Sequence, residues 1–229
     1  MTNLKKIVDS YMRKVSGLEE HTERCLRTER WGGSVLLMIV DAAFMSIGLN
    51  YFTSVFPKVV EFNEKFVENG RITGLRDLVK ADSDELREVW RNKRSWSVAK
   101  KIATHLLTIS NDDKIALRTW ASSTSLENWM NDPISRINGV GINTFQYLRM
   151  MGGIDTVMPD KIVKRVINGI MEEAGLEPVN GDLEFVKRTE NLALKNGYKP
   201  IDVCWMTWLV QPEGRIMRME KYRNILSKI

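Results

Sequence analysis

The chain has only two cysteines, Cys25 and Cys204, among 229 residues. An iron–sulfur cluster held within one chain takes four thiolates, so that cofactor is excluded. The pair also lacks metal-site spacing, and a lone disulfide is unusual in a chain this long. Both are therefore expected as buried free thiols in a reducing compartment. Long apolar runs are missing too. The most apolar stretch, Val35 to Val40, runs straight into Asp41 and is far too short to span a bilayer. It reads as a buried core helix, with no membrane partner. The first residues, Met1-Thr2-Asn3-Leu4-Lys5-Lys6, are polar and lead into an amphipathic stretch, so no secretory signal is evident and a cytoplasmic location is expected. Internal repeats and low-complexity tracts are absent. No segment alternates at period two over more than a few positions, which argues against strands.

What is present is helical periodicity. Hydrophobic residues at 43% and charged residues at 28% are the balance of an ordinary globular chain, long enough to bury one large core or two modest ones. Ile7, Tyr11 and Val15 share one face of a first helix, and a charged segment from Leu18 to Arg30 reaches the break at Trp31-Gly32-Gly33. Ser34 is placed to cap an apolar helix running to about Leu49. Further helices are expected over Thr53 to Glu68, Leu75 to Lys80, Asp82 to about Trp90, Ser95 to Ile109, Lys114 to Ser122 and Leu126 to Met130. The fold class is all-α. The net charge of +5 and pI near 9.2 fit a polyanionic partner such as nucleic acid, although many proteins without one are as basic.

The most informative region is Ile134-Ser135-Arg136-Ile137-Asn138-Gly139-Val140-Gly141-Ile142-Asn143-Thr144. A short helix is expected to end at Ile137, with a second amphipathic helix starting at about Asn143. The two glycines between them permit positive φ and leave backbone N–H groups uncovered. The second helix points its unpaired amides the same way, which makes an anion site suited to a phosphate. Val140 and Ile142 are placed to pin the turn to the helices beneath. Downstream, Gly152 and Gly153 stop the helix, and Pro159-Asp160 opens the next one, with Ile162, Val163 and Val166 facing the core. Taken alone, Asp160 is an ordinary helix-capping aspartate.

Taken together, these segments resemble the helix-hairpin-helix superfamily of DNA glycosylases. The common hairpin there is Leu-Pro-Gly-Val-Gly-x-x-Thr-Ala, and an aspartate stands at a helix start about twenty residues beyond it, where Asp160 stands here. The run Asp155-Thr156-Val157-Met158-Pro159-Asp160 is closest to the Asp-Val-Phe-Leu-Pro-Asp of bacterial alkylation-repair 3-methyladenine enzymes. The match is firm over roughly Leu126 to Asn168 and looser over Ser34 to Ile109 and Lys187 to Leu209. The resemblance implies two helical subdomains flanking a DNA-binding cleft: residues 33–135 as one, and residues 1–32 with 136–229 as the other, the hairpin lying within 136–151. It implies Asp160 as the catalytic carboxylate beside an oxocarbenium-like sugar. It implies phosphate contact by Gly139, Val140, Gly141, Ile142, Asn143 and Thr144, and a K+ or Na+ ion on the carbonyls of Ile137 and Val140. The partner is double-stranded DNA carrying a damaged base, and a nucleoid-associated monomer is expected.

Bifunctional members carry a lysine where this chain has Asn143, so base excision without strand cleavage is expected. Lys161, directly after the aspartate, is the one residue that could supply a lyase activity. Its plainer reading is a solvated surface lysine. A flipped base must be held by aromatic or apolar groups. Tyr147 falls on a pocket aromatic of the alkylation-repair enzymes, while Asn143 and Ile201 replace two of their tryptophans. Phe44 or Met45 stands where relatives keep the residue that fills the gap left by the flipped base. Trp205 and Trp208, at helical spacing, are expected in the core. Alkylated purine, oxidised purine and deaminated or mismatched base all stay open as substrates. Two other classes also stay open: a non-catalytic DNA-structure-binding protein, and a helical interaction scaffold with a fortuitous turn.

Overall fold

The structure is a computed structural model and describes residues 3–213 and 215–229. Helices α1 (Asn3–Met12) and α2 (Leu18–Leu26) lead to a left-handed turn and then to α3 (Val35–Met45). Helix α4 (Phe56–Phe62) is flanked by π-helical turns at Tyr51–Val55 and Asn63–Val67. After it come α5 (Leu75–Lys80), α6 (Ser83–Val89), α7 (Lys93–Leu107) and α8 (Asp113–Ser123). The remaining helices are α9 (Ile142–Met151), α10 (Lys161–Glu173), α11 (Asp182–Lys195), α12 (Pro200–Leu209), α13 (Arg218–Lys221) and α14 (Arg223–Leu226). The all-α reading holds. Its exception is an antiparallel pair, Pro212–Glu213 with Ile216–Met217, too short to leave any trace of alternation.

Local chemistry sets the helix starts. Ser34 caps α3 as expected, its Oγ accepting the Leu37 N–H at 3.3 Å. Asp82, Asn92 and Asp112 cap α6, α7 and α8 in the same way. Caps of this type contribute about 0.5–2 kcal/mol each. The ends are less legible. Helix α3 stops at Met45 rather than near Leu49, because Gly48 turns left-handed at φ 75°. Residues Leu126 to Met130 do not form a helix, only turns leading into a 3-10 segment at Trp129–Asn131.

Two helices are apolar nearly all round and act as hubs. Every residue of α3 from Val35 to Phe44 is buried, and α7, α4, α8 and α9 pack around it. Helix α12 is buried almost throughout and gathers α1, α2, α10 and α11. Helix α9, buried from Thr144 to Met151, contacts α2, α3 and α8 and so ties the groups together. The buried apolar side chains form one connected cluster from Ile7 to Ile229, with a small satellite of Leu126, Ile142 and Val186. Cys25 and Cys204 are both buried free thiols. Among the described residues no helix is long and apolar enough to cross a membrane.

Candidate functional site

A cavity of about 1050 Å³ opens where the start of α9, the start of α10, α12 and the loop after α3 meet. Its wall includes Gly141, Ile142, Asn143, Thr144 and Tyr147 of α9, Asp160 and Lys161 of α10, and Met45.

The run-in to α9 differs from the expected helix. Residues 133–136 make a single turn, with Arg136 N–H on Asp132 O at 3.2 Å and Ile137 N–H on Ile134 O at 3.1 Å. So short a segment cannot repay helix nucleation, and Asp132 holds it by side-chain bonds instead. The Asp132 carboxylate accepts Ile134 N–H at 2.8 Å, Trp120 Nε1–H at 3.1 Å and the Thr124 hydroxyl at 2.8 Å. Nothing in the sequence singled out this aspartate, whose partners lie on α8 and just beyond it.

The glycine turn then closes with Val140 N–H on Ile137 O at 2.9 Å. Gly139 has φ 112°, and a Cβ there would lie 2.8 Å from both Arg94 Nε and Val98 Cγ2 of α7. It is required twice over. Gly141 is different: its φ is −95°, and an added Cβ meets nothing within 4 Å. Val140 is pinned in the main core and Ile142 in the satellite, as their positions suggested. Helix α9 has no side-chain cap, and its first intrahelical bond is Phe145 N–H to Gly141 O at 3.0 Å. The N–H groups of Ile142, Asn143 and Thr144 therefore have no backbone acceptor among the described residues.

This asymmetry gives a clean test. Gly139→Val should unfold the turn and lower the melting temperature. Gly141→Val should leave the melting temperature unchanged, because it crowds only the uncapped amides, and should weaken their hold on any anion. Unchanged affinity for inorganic phosphate in a folded Gly141→Val protein would remove the turn as an anion site.

Asp160 caps α10. Its Oδ1 accepts the N–H groups of Ile162 and Val163, both at 2.8 Å. No hydrogen bond among the described residues reaches Oδ2, and the residue lines the cavity. Burial pushes its carboxyl above the ordinary carboxylate range, while the two amides and the charges of Arg218 and Arg165 pull it back in part. Asp155, the other aspartate of the motif, has a structural task, accepting Ile201 N–H at 2.8 Å at the start of α12. Cys204 shares the wall, but burial pushes its thiol up to about 12 and leaves it a poor nucleophile. Lys161 is exposed at the same wall.

Tyr147 is buried, its ring on the cavity wall and its hydroxyl donating to Asp41 Oδ2 at 2.9 Å. The same oxygen accepts Trp31 Nε1–H at 2.9 Å, the Tyr51 hydroxyl at 3.2 Å and Arg30 Nη2 at 3.4 Å. Arg30 and Asp41 are 2% and 0% exposed, a fully buried ion pair beneath the cavity. Burial works against the Arg30 charge, but Tyr147, Tyr51, Cys25 and Asp41 around it hold the proton more tightly than usual. Burial raises the Asp41 carboxyl, against the pull of Arg30 and of its hydrogen bonds. Trp31 reaches this cluster from a left-handed backbone, φ 54°. Such a conformation costs on the order of 1–3 kcal/mol in a non-glycine residue, and its bond to Asp41 helps to hold it. None of this cluster except Tyr147 was singled out in the sequence, because an arginine before Trp-Gly-Gly reads as surface.

Two sequence expectations need correction. Phe44 is fully buried, stacked on Trp90 at 4.5 Å and edge-on to Trp96 at 4.9 Å. Withdrawing such a ring costs about 3–5 kcal/mol, so Phe44 belongs to the core and fills no gap. Met45 stands on the cavity wall, and the large apolar side chain exposed on that loop is Leu49, 48% exposed at the rim. Trp205 is buried, but both it and the partly buried Trp208 face the cavity, Trp208 stacking on Phe52 at 4.9 Å. No protein-family profile, curated protein or solved structure matches the chain.

Proposed function

We propose that the protein is a monofunctional DNA glycosylase that hydrolyses the N-glycosidic bond of a damaged base held in this cavity. The observation that carries the reading is the Oδ2 of Asp160, without a hydrogen bond among the described residues, on the same wall as the uncapped start of α9. A carboxylate beside a cation-like sugar stabilises it and orients the attacking water. Unpaired amides at a helix start are suited to the phosphate that positions that sugar. The chain's charge of +5 favours approach to DNA. A K+ or Na+ ion on the carbonyls of Ile137 and Val140 would strengthen the phosphate contact, with the Ile137 oxygen already accepting Val140 N–H. Leu49, apolar and exposed at the rim, takes the gap-filling role for which the sequence offers Phe44 or Met45.

Lys161 sits on the cavity wall directly after Asp160 and favours one second reading, a lyase that captures the sugar as a Schiff base. A panel of duplexes, each with a single lesion, separates the possibilities. Base release seen as breaks only after hot alkali is the expected result, together with no covalent trapping on borohydride reduction and full activity in Lys161→Ala. Trapping by the native protein that Lys161→Ala abolishes would establish the lyase. Release from no duplex despite tight DNA binding would leave a non-catalytic binder. Leu49→Gly should slow release from duplex far more than from single strands.

A further inference from the structure

Negative charge is distributed unevenly along the chain. Its two longest stretches without Asp or Glu run from Val89 to Asn111 and from Pro133 to Ile154. The first is α7 with its flanks, and the second holds the glycine turn and α9. They meet in the fold, because Arg94 and Val98 of α7 are the side chains that a Cβ on Gly139 would strike. The first stretch carries Arg91, Lys93, Arg94, Lys100 and Lys101. These five account for the chain's whole excess of +5. Without them, the 34 Lys and Arg fall level with the 29 Asp and Glu.

Burial sets which way these charges point. Trp96, Val98, Ala99, Ile102 and Ala103 are buried, which leaves Lys93, Arg94, Ser97 and Lys101 exposed in a stripe along the other side of α7. Arg94 and Lys101 are two turns apart, about 10 Å along the axis. Arg91 is exposed just ahead of the helix. Lys100 is tied down by Ala81 O and Ser83 Oγ. Arg91, Lys93, Arg94 and Lys101 form no ion pair among the described residues. The acids that bound the stretch are engaged elsewhere, Glu88 with Lys65 and Asp112 in capping α8. A stripe of one sign beside a turn with uncapped amides makes one continuous positive field.

Resting on the reading of duplex DNA as the partner, we infer that the exposed stripe of α7 is a second phosphate-binding surface. Arg94 and Lys101 hold the DNA backbone beyond the glycine turn, on the side away from the cavity. The composition of the stripe favours this partner over two others. A membrane surface takes up apolar side chains, and a protein interface is centred on buried aromatic or apolar anchors. Among the described residues α7 exposes no large apolar side chain. Cations with an interspersed hydroxyl, here Ser97, are what a phosphate backbone requires.

The salt dependence of binding tests this on the full chain. Fluorescence anisotropy with a lesion-free duplex gives the slope of log affinity against log salt, about 0.9 for each phosphate held. Arg94→Gln and Lys101→Gln are each expected to lower that slope by about one and the affinity by about fivefold at moderate salt. Arg94→Lys keeps the charge and should keep most of the slope. Lys195→Gln, at the end of α11 in the group around α12, removes the same charge and should change neither. Melting temperatures report folding. Arg94 rests against the turn, so Lys101→Gln keeps the test alive should Arg94→Gln fail to fold. Base release from the lesion panel is measured alongside. Slopes that fall as expected with no release from any lesion would support the stripe and overturn the glycosylase reading. Release from a lesion duplex with slopes unmoved by either α7 variant would overturn the stripe and leave that reading standing. An equal fall in Lys195→Gln would reduce the effect to net charge and overturn the inference. Binding to poly-glutamate or phosphatidylserine vesicles through these residues, with none to duplex, would overturn it as well.

Discussion

Asp160→Asn is expected to slow base release at least about a hundredfold at saturating enzyme, while duplex binding is retained or tightened. The substitution keeps the side chain's size, and an amide oxygen can still accept the Ile162 and Val163 N–H groups that Oδ1 accepts now. What it removes is the negative charge that the proposed mechanism sets opposite a developing sugar cation. Electrostatic groups of this kind are worth roughly 3–4 kcal/mol, or two to three orders of magnitude in rate. Single-turnover release from the best lesion duplex is the measurement, and a wild-type rate would end the mechanism proposed here. The raised carboxyl gives a second readout with a definite sign. Burial favours the protonated form in the folded protein, so release should fail on acidification above the ordinary carboxylate range, as Asp160 takes up its proton. For the same reason Asp160 contributes fully to stability only at acid pH, and that contribution is lost as pH rises through its folded value. Asp160→Asn should therefore melt higher than wild type at neutral pH, with the gap closing in acid. A group kept at a cost to stability and needed for rate is the pattern of a working site.

Asp41→Ala is expected to be the most destabilising single change, by about 3–5 kcal/mol, because it leaves the Arg30 guanidinium buried with no counter-charge. It also strips a partner from Tyr147, Tyr51 and Trp31. Urea denaturation gives the number. The double variant Asp41→Leu with Arg30→Met should recover much of the loss, since replacing both members of a buried pair with apolar side chains is often neutral. The same double variant should still lack the cavity's buried cation. Recovered stability with impaired release would separate the pair's role under the cavity from its role in the fold. A loss below about 1 kcal/mol in Asp41→Ala would mean that Arg30 finds other compensation.

Much of this was legible in the residues. Apolar periodicity marked most of the helices, and Ser34 marked the start of α3, because both are determined within a few residues along one chain. The Gly-Val-Gly turn and Asp160 were visible for the same reason: backbone freedom and capping are local properties. Helix ends were harder to read, and α3 was drawn past Gly48 and across the loop that carries Leu49.

Which side chains meet across long separations was set by packing alone. Phe44 and Met45 are neighbours in sequence, yet one is stacked on Trp90 and edge-on to Trp96 while the other faces the cavity. The 3.6-residue period assigns a face to each, but not what stands opposite. Arg30 and Asp132 are ordinary surface letters in sequence. Packing buried the first against a carboxylate on α3 and joined the second to Trp120 on α8. Trp208 looked like core and became wall, because the cavity forms only where α12 meets the starts of α9 and α10. An all-helical chain with an uncapped glycine turn and an aspartate at a helix start follows from local backbone preference, which the order of residues carries directly. That the turn and the aspartate share one cavity above a buried ion pair depends on non-local packing, which pattern along the chain does not encode.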